Sequence, residues 1–216
     1  MTELLDRVEA EFARTAHGLE PWPDPWGAHR RDPEWEVPGE AYSRVTDPDK
    51  WRLIGARFEA WIAALVRLGV AEREVVDAPV WAEELNRSYT TVERVVPRAA
   101  GAVSFTVGRL EVDAPGVVLA MGDPLVVIEH FPDCGCDACD SGSDAEIEVI
   151  DDYVTAVVAG TYRRLTRGDD VVWTLGGGRS GASFRPRRLR RAPHPTTVLA
   201  DPAGWVELSG SPWVEV

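Results

Sequence analysis

Lysine is nearly missing from this chain of 216 residues: Lys50 is the single one, so the rest of the basic set of 23 is arginine, and Asn86 is the single asparagine. That bias suggests a GC-rich bacterial coding sequence. The chain also lacks an apolar run long enough to cross a bilayer, and its start carries Glu3, Asp6 and Glu9 where a secretory signal needs a basic patch before an apolar stretch. A cytoplasmic location is therefore expected. Cysteine is scarce, with three in all; an odd number cannot pair completely within one chain, and a reducing compartment disfavours structural disulfides.

Basic charge is in deficit as well. The formal charge of -13 works against nucleic-acid binding, since affinity for a phosphate backbone rests on lysine and arginine displacing counterions. With nucleic acid and membrane set aside, a protein partner is the macromolecular class left open. Several familiar chemistries are excluded by missing motifs: there is no GxSxG elbow, no HExxH helix and no EF-hand loop. The adjacent carboxylates Asp151 and Asp152 fall on a predicted helix, where neighbours point apart, which suits solvation better than shared acid and base work. No catalytic set emerges.

What is present begins with 44% hydrophobic and 27% charged residues, the balance of a globular protein. Leu5, Val8 and Phe12 mark a first helix that Thr2 caps and Gly18 ends. Prolines then break up residues 18–45, an irregular arm carrying Trp22, Trp26 and Trp35, which read better as pegs fixing the arm to the domain than as a sugar- or peptide-binding surface. Thr46 or Asp47, with Pro48 in the first turn, opens the strongest helix, whose buried face runs through Trp51, Ile54, Phe58, Trp61, Ile62, Leu65 and Leu68. Around Pro79–Leu85 a short helix or a turn is equally consistent with the pattern.

The period then shifts to two. Thr91–Val96, Ala102–Val107, Val117–Met121 and Leu125–Ile128 read as strands of an antiparallel meander. A long helix follows, capped by Ser141 or Ser143, with a stripe from Ile147 to Leu165 and its end at Gly168; Arg163, Arg164 and Arg167 would complement its dipole. Val171–Leu175 and Gly181–Phe184 are predicted strands joined by the glycine-rich turn 176–181, which lacks the ending of a P-loop. Further strand candidates lie at Trp205–Leu208 and Trp213–Val216, and the basic run Arg185–Arg191 reads as an extended surface strip. The order of elements predicts an α+β fold, an antiparallel β-meander packed against two or three α-helices. Residues 1–192 are expected to form one domain, with 193–216 as a C-terminal extension.

Chemistry concentrates in Glu129–Asp140, which holds His130, Cys134, Cys136 and Cys139. Steps of two and three residues let a tight turn bring three thiolates round one ion, and Zn²⁺ commonly takes four ligands tetrahedrally. His130 is the candidate fourth ligand, with Asp133, Asp137 and Asp140 as oxygen alternatives. Two other readings compete: a redox pair at Cys136 and Cys139, opposed by surrounding carboxylates, and inert thiols in a tight loop. A zinc deaminase site is excluded by the missing HxE.

The segment Phe131-Pro132-Asp133-Cys134-Gly135-Cys136-Asp137-Ala138-Cys139-Asp140, the acidic helix after it, and the upstream Val95-Val96-Pro97-Arg98 with Gly101-Ala102-Val103 resemble a bacterial domain family of unknown function whose members carry FPxCGCDACD. The resemblance spans residues 90–165. It transfers no catalytic residue, since the family has no established activity. The first functional expectation is a binding or interaction module with a small structural zinc site. An enzyme with a catalytic zinc or a redox-active CxxC is the second, and an acidic protein that blocks a basic partner is the third.

Overall fold

The structure is a computed structural model that describes residues 1–77, 89–110, 115–184 and 192–214. The expectations for Pro79–Leu85 and the basic run Arg185–Arg191 lie outside the described residues. The described chain divides into two compact units, Thr2–Val96 with Ser104–Asp151, and Pro97–Val103 with Asp152–Val216.

In the first unit, helix α1 (Thr2–Thr15) buries Leu4 and Val8 and packs along α2 (Arg52–Arg67). Helix α2 carries the predicted apolar face: Ile54, Phe58, Trp61, Ile62 and Leu65 are fully buried. A 3-10 turn at Pro48–Trp51 leads into it, so Pro48 starts a tighter turn than the α-helical first turn expected. Against α2 lies a five-stranded sheet in the order β1 (Ala71–Val75), β2 (Tyr89–Pro97), β3 (Phe105–Leu110), β4 (Gly116–Met121) and β5 (Val126–Phe131).

This is the expected meander with one added edge strand. Strand β4 is buried throughout because both its faces are covered. Val118 and Ala120 pack with Leu110 and the partly buried Tyr89, Leu125 and Val127, whereas the alternate residues Val117, Leu119 and Met121 occupy the opposite face. On β5, Phe131 meets Phe58 of α2 edge-on at 5.2 Å.

Polar networks brace the same unit. Arg57 is buried, and its guanidinium forks onto Asp151 at 2.8 and 2.6 Å while also reaching Glu9; the Trp61 indole N–H donates to the same Asp151. Asp151 is thus a structural partner of a buried cation and not the solvated carboxylate predicted.

Helix α3 (Ser143–Val158) crosses from one unit's residues to the other's, and it ends earlier than its apolar stripe suggests. Gly160 has φ of 68°, and a Cβ there would stand 2.6 Å from Pro212 N, so the residue both turns the chain and admits the tail segment. The stripe runs on into β6 (Arg163–Arg167), where Leu165 is buried as a strand residue. The three arginines therefore do not complement a helix C-terminus; Arg163 instead pairs with Glu207 at 2.8 Å.

In this second unit the sheet order is β8 (Arg179–Ser183), β7 (Asp170–Gly176), β6 and β9 (Val206–Ser209), all antiparallel. The glycine-rich turn joins β7 to β8 as a hairpin, as read. Helix α4 (Pro195–Ala200) had no counterpart in the sequence reading; His194 caps it by accepting the Thr196 N–H. Leu165, Val172 and Val198 form the local core. No helix among the described residues is long and apolar enough to cross a membrane.

Candidate metal centre

The cysteine loop leaves the end of β5 and returns to the start of α3. A 3-10 turn over Asp137–Cys139 folds it, with Cys136 in extended conformation at its cap and the Cys139 N–H bonding to the Cys136 carbonyl at 3.1 Å. The consequence is convergence of the thiols: the three Sγ atoms lie within 4.8 Å of one another, and Cys134 and Cys136 are in contact at 3.2 Å. Tetrahedral thiolates about 2.3 Å from zinc stand roughly 3.8 Å apart, so the observed spacing closes onto an ion through side-chain rotation. Cys136 is buried, while Cys134 and Cys139 are exposed.

The thiols are electrostatically unequal. Burial works to raise Cys136, but hydrogen bonds from Cys134, from Cys139 and from the Ala138 N–H outweigh it and hold this thiol below its ordinary value. Cys139, which donates to Cys136 and then suffers burial and the two neighbouring sulfurs, is pushed up to about 12. One sulfur thus collects the hydrogen bonds of the cluster.

The loop is held in shape by the arm and by Thr46 and Lys50 just after it. Asp137 accepts from Arg44 Nε at 2.5 Å, from the Thr46 N–H at 2.6 Å and from the Thr46 hydroxyl at 2.7 Å, and its own N–H donates to the Arg44 carbonyl. Burial alone would raise the Asp137 carboxyl; Arg44 and the two Thr46 donors reverse this and bring it to about 2. Asp140 is buried and accepts from Lys50 Nζ at 2.6 Å, the Trp22 indole at 2.8 Å and the Gly142 N–H at 2.9 Å. Lys50, the single lysine, also lies over the Trp51 ring at 4.9 Å.

Two of the arm's tryptophans are pegs in a literal sense: Trp22 reaches Asp140, Trp26 donates to the Asp137 carbonyl at 2.7 Å, and Trp35 backs Trp26 with His29 stacked on it. Gly142, at φ of 85°, completes the joint, because a Cβ on it would sit 2.5 Å from Asp24 N. Ser143 then exchanges hydrogen bonds with Trp22 through its hydroxyl and its N–H.

Of the predicted site residues, the structure brings together Cys134, Cys136 and Cys139. The predicted oxygen alternatives Asp137 and Asp140 are committed to the arm. His130 is not part of the three-sulfur group: it sits opposite Val118 on β5, and strand alternation directs it to the face away from Phe131 and α2. A cavity of about 810 Å³ in this unit is lined by Trp51, Arg52, Glu59, Arg109 and Gly116 among others, and no cysteine lines it. The residues that shape the loop, Arg44, Thr46, Lys50 and Gly142, carried no local signal of that role; the D-x-x-D spacing of Asp137 and Asp140 round a tight turn was the one trace of it.

A family model described as a family of unknown function (DUF6226) matches residues 8–215. The chain belongs to this family. The match extends well beyond the segment on which the sequence resemblance rested, covering both units and the whole arm-and-loop joint. No curated protein and no solved structure matches the chain.

Proposed function

We propose that this family member is a metal-binding module in which Cys134, Cys136 and Cys139 hold a zinc ion that stabilises the arm-bound loop, its role being binding or interaction. The observation that carries the reading is the convergence of three sulfur atoms within 4.8 Å on a loop whose backbone is already fixed from both sides by Asp137 and Asp140. A preorganised loop spends little conformational entropy when an ion arrives, which favours tight binding. Thiolate donors in this number suit zinc or another thiophilic ion, whereas calcium and magnesium require oxygen ligands. The fourth position falls to water, or to His130 if the end of β5 rearranges.

The second reading, a reactive zinc, is favoured by the count of converging ligands, since three protein ligands with one exchangeable position characterise catalytic rather than closed structural sites. Metal content and free-thiol titration on protein purified without chelator separate the two. Stoichiometric zinc that shields the thiols, is lost in Cys136→Ser and takes thermal stability with it supports the structural role. Zinc lost without loss of stability moves the assignment to a reactive ion, and metal-free protein with three reactive thiols refutes both.

A further inference from the structure

We propose that Cys134 and Cys136 form an oxidisable pair, which hydrogen peroxide converts to a disulfide while Cys139 stays a thiol. Sequence spacing pointed to Cys136 and Cys139, the CxxC pair, but the 3.2 Å sulfur contact is between Cys134 and Cys136. Anchoring explains why closure is easier there. Cys139 sits inside the 3-10 turn between Asp137 and Asp140, both fixed by the arm, whereas Cys134 precedes the anchored segment and reaches a bond length of about 2.05 Å by a small side-chain movement.

Access favours the same order of events. Cys134 is exposed and meets the oxidant; Cys136 is buried directly behind it. The Cys134 thiol gives up its proton as its sulfur attacks one peroxide oxygen, the O–O bond breaks, the proton ends on the departing hydroxide, and sulfenic acid and water form. The Cys136 sulfur then attacks the sulfenic sulfur, the S–OH bond breaks, and the hydroxide leaves as water with the remaining thiol proton. Two electrons pass from the two sulfurs to the peroxide, and the products are one disulfide and two waters. Beside this segment lies a donor with nothing to bond: Trp51 Nε1 is buried, has no hydrogen-bond partner, and stands 3.9 Å from where a Cβ on Gly135 would be. Where the cluster carries an ion, the disulfide removes two of its three ligands and the ion leaves; this arm of the proposal rests on the metal reading, and the disulfide itself does not.

The test treats zinc-supplemented full-length protein with hydrogen peroxide, blocks remaining thiols with N-ethylmaleimide, and reads intact mass, fragment masses and released zinc. The expected result is one adduct, on Cys139, with a mass loss of two hydrogens before alkylation and zinc release in step with it. Cys139→Ser should still form the disulfide, and Cys136→Ser should not. A bond between Cys136 and Cys139, or three alkylated cysteines after peroxide that oxidises glutathione fully, overturns the proposal. Protein that binds no zinc yet forms the Cys134–Cys136 bond refutes the metal reading and upholds this one. Mapping on the wild-type chain keeps the decision independent of how any variant folds.

Discussion

Replacing Asp137 by Asn should loosen the joint between arm and cysteine loop by an amount that can be worked from its contacts. The carboxylate is 7% exposed and accepts three hydrogen bonds, one from Arg44 and two from Thr46. Arg44 is 54% exposed, so its ion pair is screened by solvent and is the weakest of the three contacts. Each Thr46 bond to a charged, buried acceptor contributes about 1.5–3 kcal/mol. Asparagine keeps one acceptor oxygen and can retain one Thr46 bond in weaker, neutral form, but its amide turns a donor towards the other donors. The net loss should be about 2–4 kcal/mol, which for a chain of this size lowers the melting temperature by roughly 4–16 °C.

The assay is a circular-dichroism melt combined with trypsin cleavage after Arg30 and Arg31, which should accelerate as the arm undocks. Arg44→Gln is the control and should lower the melting temperature far less than Asp137→Asn, because it removes the exposed partner alone. If Asp137→Asn melts with the wild type, or if Arg44→Gln costs as much as Asp137→Asn, the Thr46 bonds are not what holds the joint.

Other expectations follow from the same geometry. Gly142→Ala should destabilise the joint more than the usual glycine-to-alanine change, since it forces both a positive φ and a 2.5 Å approach to Asp24 N; urea unfolding measures it, and a stability gain would refute the close packing. Acid should act through Asp137: its folded carboxyl lies at about 2, below the unfolded value near 3.9, so its contribution of up to about 2 kcal/mol is complete above that unfolded value and disappears as pH falls through about 2. The urea midpoint of the wild type should therefore fall between pH 4 and 2 by more than that of Asp137→Asn, and parallel curves would count against the assignment. His130→Ala should leave zinc stoichiometry unchanged if water fills the fourth position, and equilibrium metal analysis that finds the zinc gone would make His130 a ligand.

The parts of the fold written in local periodicity could be read without coordinates. Helix α2 and strands β2–β5 announced themselves through spacing of three to four and of two. Strand β1 did not, because Ala71-Glu72-Arg73-Glu74-Val75 is an edge strand with four exposed positions and no apolar alternation to detect. The end of α3 was misplaced because Leu165 continues the apolar stripe by coincidence of spacing, while Gly160, the residue that turns the chain, looked like any other glycine. At the candidate site the thiol cluster was legible since its residues are sequence neighbours. The roles of Asp137 and Asp140 were not, because their partners Arg44, Thr46 and Lys50 stand 90 or more residues earlier. His130 shows what counting residues leaves out: it stands four positions from Cys134, yet it pairs opposite Val118 on β5 and lies outside the three-sulfur group.

The sequence separations in the joint set an order for synthesis. The arm and the turn after it leave the ribosome with Trp22, Trp26 and Lys50 in search of acceptors that are 90 to 121 residues further along the chain. Until the strands of the meander and the cysteine loop have followed, nothing translated can receive Trp22, Trp26 or Lys50, so the two indole rings stay open to other chains for the time needed to translate that stretch. A nascent chain stalled before Asp137 should be held by ribosome-associated chaperones through the arm. One extended far enough for the cysteine loop and Ser143 to clear the ribosome should release them, which makes the emergence of the cysteine loop the moment at which this end of the protein becomes safe from aggregation.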